Sequence, residues 1–331
     1  MTSTTKSNNK KYFVIINSNF IGDILLTSCL IQNIKRLYKD SFIIMVTTSE
    51  KTVEVAKGVE FVDDVVLWER KGKHKGIIGM LKFAKSFPYK DIFAVIPIYS
   101  NDRLILLSRF LRPKFVLSSA EKRLSRLLMK SKYFIKNKPE FTVQEMDLNA
   151  LSGLTKDKLI NYPIKFNTTK QQSTENINQL QNEDFIVLCP ITSKKEKDIK
   201  FETVKEIIKH SDKKVVLLGA GQTATELSQA LSKLKLNNLI DLTNKTSIPE
   251  ASQIMKLSQG VISADTGLLH LACAVAKEVV EVVYDVKLYK YIPDTKLYRI
   301  SILYNEHRGR VILNTLNGLI QTQKEMKILS P

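Results

Sequence analysis

The chain has 331 residues, enough for two α/β domains with a core each, and its 44% apolar content is ordinary for a globular protein. A formal net charge of +18, set in a composition rich in Lys, Asn and Ile, points to an anionic partner: nucleic acid, anionic lipid or a phosphorylated substrate. Three separated cysteines (Cys29, Cys189, Cys273) and histidines without ligand spacing speak against a disulfide scaffold or a zinc site, and no apolar run is long enough to span a bilayer, so a soluble protein of a reducing compartment is expected.

Residues 1–11 are polar, lack the apolar core of a signal peptide and read as a disordered tail. Tyr12 to Ile16 is an apolar strand, and Asn17 to Asp23 a loop. Leu26, Leu30, Ile34 and Leu37 then mark one face of a helix. Gly22 and Asp23 thus leave a strand–loop–helix unit where open α/β sheets bind ligands. As a plain structural residue, Asp23 would be a helix-start charge. Strands follow at Phe42 to Val46 and Val65 to Leu67, with a weak helix, Lys51 to Lys57, between them. After the basic loop Lys71 to Lys75 come a helix from Ile77 to Phe87 and a strand from Ile92 to Ile98. Asn101 and Asp102 at its end suit either a ligand or a turn. Leu104 to Leu111 is helical and Lys114 to Leu117 a strand. Ser119 to Lys138 reads as an amphipathic basic helix. Its Lys122, Arg123 and Arg126 suit membrane phosphates or a phosphorylated acceptor, or simply a solvated face. Val143 to Leu151 closes the first half.

A polar stretch, 166–183, reads as a linker between an amino-terminal domain, 12–165, and a carboxyl-terminal one, 184–305. The second half repeats the alternation: strand Phe185 to Cys189, a lysine-rich loop to Lys200, helix Phe201 to His210 and strand Lys214 to Leu218. The turn Gly219-Ala220-Gly221 follows, then helix Thr225 to Leu234, strand Leu239 to Leu242 and helix Ile248 to Leu257. Val261 and Ile262 form a short strand broken by Asp265, Thr266 and Gly267, with a helix and the strand Val279 to Val283 behind. Thr266 and His270 are four apart and share the helix face that starts at its amino end, where unpaired N–H groups and the helix dipole suit a phosphate. Gly267 lets an anion approach the backbone closely. As plain structure, Asp265 would be a cap and His270 a packed side chain. Lys296 to Leu303 is a last strand, and 306–331 carries a long terminal helix. Alternating β and α segments predict a parallel sheet in each half.

Phe20-Ile21-Gly22-Asp23-Ile24, the lysine loop, Ile240 to Ser247 and Asp265-Thr266-Gly267-Leu268-Leu269-His270-Leu271-Ala272-Cys273-Ala274 together resemble glycosyltransferase family 9, the ADP-heptose:lipopolysaccharide heptosyltransferases, from Tyr12 to about Val283. The resemblance implies two Rossmann-like domains facing across a cleft (GT-B), the first binding the acceptor and the second the nucleotide sugar. It also implies that the last helix crosses back to the first domain. It implies inverting sugar transfer, heptose or another sugar, to phosphorylated lipid A–core. Asp23 would be the general base and Lys197 would assist the leaving diphosphate, with Lys195 and Lys200 as rivals in the same loop. Gly22, Thr192, Gly219, Gln222, Thr223, Asp265, Thr266, Gly267 and His270 would serve the nucleotide sugar, and Asn101, Lys122, Arg123 and Arg126 the acceptor. No cofactor or metal is implied, and a monomer at the cytoplasmic face of the inner membrane is expected.

The chain departs from the family pattern in four places. Asn17 stands where Lys or Arg is frequent, and Ile199 where Trp is usual. Gln222 and Thr223 replace a ribose-binding acid, and Asp285-Val286-Lys287 replaces a Gly-Pro-Thr turn. These departures bear on the donor more than on the fold. A catalytically inactive nucleotide-binding homologue that scaffolds surface-glycan assembly is the alternative. A nucleic-acid-binding protein is disfavoured, because no recognition helix, zinc finger or aromatic RNP pattern accompanies the charge.

Overall fold

The apolar runs build two all-parallel sheets in a computed structural model of the chain, which describes residues 10–99, 101–118, 135–138, 140–168, 174–284, 297–301 and 308–329. The chain divides after Tyr162 into two units. In the first, β1 (Lys11–Ile16), β2 (Ser41–Thr47), β3 (Asp64–Leu67), β4 (Ile92–Pro97) and β5 (Phe115–Val116) lie in the order β3-β2-β1-β4-β5. In the second, β6 (Phe185–Cys189), β7 (Lys214–Leu217), β8 (Leu239–Asp241), β9 (Val261–Ala264), β10 (Val279–Val283) and β11 (Leu297–Ser301) lie in the order β11-β10-β9-β6-β7-β8. Both are the doubly wound order, with the first strand central and the order reversing beside it. Phe13 to Ile16 and all of β6 and β9 are buried, as strands covered on both faces must be, and this is why they read as unbroken apolar runs.

The helices follow the same logic. The helical face expected from Leu26 to Leu37 is split into α1 (Ile21–Leu26) and α2 (Ser28–Leu37). At the join the Thr27 hydroxyl donates to the Ile24 carbonyl at 2.6 Å. Next come α3 (Glu50–Gly58), α4 (Gly76–Ser86), α5 (Asp102–Phe110) and α6 (Val143–Asn149), which packs on α2. The end of the first unit is tied to α2: Asn33 Nδ2 donates to the Ile160 carbonyl at 2.7 Å, and the Ile160 N–H to Asn33 Oδ1 at 3.0 Å.

Two boundaries differ from expectation. Residues 166–183 are not a bare linker. Within them α7 (Glu175–Leu180) is capped by Thr174, buries Ile177 and Leu180, and packs on α10 (Ile248–Leu257). Thr174 Oγ1 and Asn176 Nδ2 both donate to Glu250 Oε1, at 2.5 and 3.0 Å. The polar composition had hidden two apolar residues three apart, enough for one short buried face. The terminal helix, α12 (Gly309–Leu329), was expected to cross back to the first domain. Its Ile312, Leu313, Leu316 and Ile320 join the core of the second unit, and the helix packs on α8 (Phe201–His210). The remaining helices of that unit are α9 (Gln222–Ser232) and α11 (Gly267–Val275). At the amino end, Lys11 already belongs to β1, so the expected tail is shorter by at least that residue. The expected basic helix, with Lys122, Arg123 and Arg126, lies outside the described residues except at its end, 135–138. Among the described residues no helix is long and apolar enough to cross a membrane.

Leu316 is fully buried beside the β9 and β10 strands, so Leu316→Ala should destabilise the protein by about 2–5 kcal/mol. A denaturant midpoint that does not move would show that α12 is not part of this core.

Candidate functional site

The strand order of each sheet reverses between β1 and β4 in one unit and between β6 and β9 in the other, and the carboxyl edge at such a reversal is where open α/β sheets bind ligands. The marked residues fall on these two edges, and each edge is described on its own.

In the first unit β1 runs out at Ile16 and the chain turns through Asn17 to Phe20 into α1. Gly22 is buried in that helix, and Asp23 sits in its first turn. Asp23 Oδ2 accepts the Phe20 N–H at 3.0 Å, and Tyr99, just past β4, donates its hydroxyl to the same carboxylate. Burial raises the pKa of Asp23, and the two hydrogen bonds from Phe20 and Tyr99 offset only part of that. Tyr99 is held at φ +48°, a left-handed backbone that a tyrosine rarely adopts, which fixes where its ring leaves β4. Phe20, beside the carboxylate, is 80% exposed.

Asp147 was not anticipated. It lies on α6, is only 7% exposed, and its Oδ2 has no hydrogen-bond partner. Burial, and then the charge of Asp23, raises its pKa well above the usual carboxylate value. The signal was present in the sequence: Asp147 is four residues from both Val143 and Leu151, on the buried side of the helix. Asn17 is fully buried, with Nδ2 unpartnered and Oδ1 accepting the Asn19 N–H at 3.1 Å. Asn101 caps α5, its Oδ1 accepting the Leu104 N–H at 3.1 Å.

In the second unit the lysine loop leaves β6 and the Asp265 turn leaves β9. Thr192 is used inside the loop, its N–H and hydroxyl lying 2.7 and 2.9 Å from Asp198 Oδ1. Asp198, buried and unmarked in the sequence reading, thereby folds the loop. The three lysines separate. Lys197 Nζ pairs with Asp265 Oδ2 at 2.7 Å; Lys200 lies over the Tyr284 ring at 5.3 Å; Lys195 stays exposed. Ile199, at the position of the missing tryptophan, is buried in the core.

Past Asp265, Thr266 takes the cap position of α11, yet its side chain makes no capping bond. Gly267 begins the helix. His270, one turn on, is 6% exposed with Nδ1 unpartnered. Burial lowers its pKa to about 4 against the opposing pull of Asp265, so the ring is neutral at physiological pH. At the third loop Gly219 accepts the Asn244 N–H through its carbonyl at 2.9 Å, while Gly221, at φ +96°, donates its N–H to Asn244 Oδ1 at 2.7 Å. Gln222 is exposed at the start of α9, where its side chain reaches Glu226 at 3.2 Å, and Thr223 follows, half-buried. No cluster of His, Cys, Asp or Glu that could hold a metal ion occurs among the described residues.

The sequence profile of glycosyltransferase family 9 (heptosyltransferase) matches residues 112–295, more than half of the chain. The chain belongs to glycosyltransferase family 9. It is therefore a glycosyltransferase, and its two α/β domains are those of the GT-B class. Solved family-9 structures share the fold over nearly the whole chain. The glycosyl transferase family 9 protein from Veillonella parvula has a TM-score of 0.80 at 16% identity, covering 94% of this chain and 98% of its own. E. coli ADP-heptose lps heptosyltransferase II gives 0.75 at 15% identity, covering 95% and 99%. E. coli heptosyltransferase WaaC with ADP gives 0.68 at 19%, covering 95% and 98%. Among curated proteins there is no significant match.

The folded family-9 chain holds the Asp147 proton to higher pH than the unfolded chain, where an ordinary carboxyl titrates near 3.8. The stability this group supplies is thus complete below that value and is lost as pH rises through the raised one. Asp147→Asn carries no charge at any pH and should flatten the fall of melting temperature with rising pH. An unchanged profile would mean that Asp147 ionises normally.

Proposed function

We propose that this family-9 enzyme transfers a sugar, heptose or another, from a nucleotide diphosphate to the phosphorylated lipid A–core of lipopolysaccharide, with inversion at the anomeric carbon. The observation that carries the reading is the set of contacts at Asp23. A carboxylate at the switch point of the first sheet is aimed by a backbone N–H and the Tyr99 hydroxyl, and burial raises its pKa. A base is most effective when its pKa approaches the working pH, so that shift suits proton removal from a sugar hydroxyl.

In this reading the acceptor oxygen attacks the anomeric carbon as its proton passes to Asp23. The bond from that carbon to the diphosphate oxygen breaks, and the charge gathers on the leaving diphosphate. The second domain meets that charge with Lys197 and the amino end of α11 at Thr266 and Gly267. Asp265 holds the lysine ready at 2.7 Å, and neutral His270 offers a ring nitrogen without adding a second cation. These groups can carry a diphosphate by themselves, so the proposed reaction uses no metal or cofactor. Two E. coli relatives lend the substrates: one is named an ADP-heptose lps heptosyltransferase, and the other was solved with ADP. Gln222 and Thr223, in place of the family's acid, leave the donor's base and sugar open to a form other than ADP-heptose. A lipid-linked acceptor places the enzyme at the cytoplasmic face of the inner membrane.

Asp23→Asn should lower transfer roughly 10²–10⁴-fold while the melting shift given by nucleotide stays as in the wild type. Near-normal turnover in this variant would remove Asp23 from the reaction. Lys197→Ala should lower kcat by roughly 10²–10³-fold and weaken the nucleotide-induced shift as well. A panel of nucleotide sugars read by melting temperature would identify the donor.

A further inference from the structure

Helix α4 is apolar on both sides. Its inner face, Met80, Phe83 and Ala84, is packed with Trp68 in the core of the first domain. Its outer face carries Ile77, Ile78 and Leu81, which are 60%, 72% and 39% exposed. They are three of the nine exposed large apolar residues among those described, and they fall within five positions. Isolated exposed apolar residues need no explanation, but a contiguous group does, since the inner face already anchors the helix.

The surroundings of this face are cationic. Between positions 69 and 85 the chain has Arg70, Lys71, Lys73, Lys75, Lys82 and Lys85 against one acid, Glu69, and Glu69 is paired with Lys73. The five lysines are exposed. The loop that carries three of them is clamped to the helix. A Cβ on Gly79 would lie 2.2 Å from the His74 carbonyl carbon, and buried His74 accepts the Glu69 N–H on Nδ1 at 3.2 Å. The lysines are thus held beside the isoleucines. This loop and the first turn of α4 follow β3, so they lie on the carboxyl edge of the same parallel sheet that carries Asp23.

We propose that the outer face of α4 docks the first domain on an anionic lipid bilayer, with Ile77, Ile78 and Leu81 entering the interface and the flanking lysines meeting lipid phosphates. Apolar side chains flanked by exposed cations match the layered chemistry of such a surface, apolar below and anionic above. A second copy of this chain would carry the same positive charge to the contact and repel it. The inference rests on the proposed function only for what docking achieves, the delivery of Asp23 to a lipid-linked acceptor; the binding itself does not depend on it.

The test uses the full chain and vesicles without acceptor, of phosphatidylcholine alone or mixed with phosphatidylglycerol, read by co-sedimentation. The wild type should partition onto the anionic vesicles, less so at high salt, and much less onto the neutral ones. Ile78→Glu should cut partitioning at least about tenfold with its melting temperature unchanged, and Lys71→Glu with Lys75→Glu should do the same. Equal partitioning by wild type and both variants would overturn the proposal. So would a concentration-dependent dimer, seen by light scattering, that Ile78→Glu dissolves. Transfer to a deacylated, water-soluble acceptor should be as fast in Ile78→Glu as in wild type; a wild type that transfers to no such acceptor would sink the proposed function and leave the vesicle result standing.

Discussion

The first strand of each sheet lies in the middle, and the chain leaves it in one direction and later returns on the other side. Everything chemical in this protein depends on that constraint. Helices that cross to opposite faces cannot close over the carboxyl edge at the reversal, so loops there face outward with the sheet as a rigid floor. Asp23, in the first turn of α1, and Tyr99, just past β4, follow the two strands flanking the reversal in the first domain; Lys197 and Asp265 follow the two flanking it in the second. Residues that share an edge in this way need no proximity in sequence. The pair Lys197 and Asp265 spans 68 positions.

The two edges have opposite electrostatic character, from different causes. In the first domain, burial keeps carboxyl groups reluctant to ionise. Asp23 is aimed by two donors, whereas Asp147 lies deep with an oxygen left unpartnered. In the second domain a lysine from the loop after β6 meets, through Asp265, a helix start without side-chain capping and a neutral histidine one turn on. A carboxyl group that holds its proton more tightly is a better base, and a helix start whose cap side chain is not engaged is a better anion site. Both features cost stability locally, and both are tolerated because the fully buried strands beneath supply it.

Polar groups on these edges also hold the chain together. Thr192, Asn101 and Asn244 are of the types that contact ligands, and each makes a hydrogen bond within the chain, folding the lysine loop, capping α5 and bracing the Gly221 turn. The lysines divide in the same manner, Lys197 onto a carboxylate and Lys200 onto an aromatic ring. On α4 the reverse holds: the core is complete without Ile77 and Ile78, and their exposure is what remains unexplained by folding.

The sequence by itself determined the alternation of strands and helices, the parallel sheets, the placing of Gly22-Asp23 where the first loop meets its helix, and the Asp265-Thr266-Gly267 break after β9. All of these are written in local periodicity and in residues that break it. Helices Phe201–His210 and Ile248–Leu257 were legible to the residue, because each pairs an apolar stripe with clear ends. Composition misled at 166–183, where two apolar residues in a polar stretch were enough to fold α7 onto α10. The tertiary structure alone decided which lysine meets Asp265, that α12 packs into the second domain, and that Asp147 lies buried within reach of the charge of Asp23. Those outcomes turn on distances between segments remote in the chain and on the loss of water around a charge, and neither has a local signature in the order of residues.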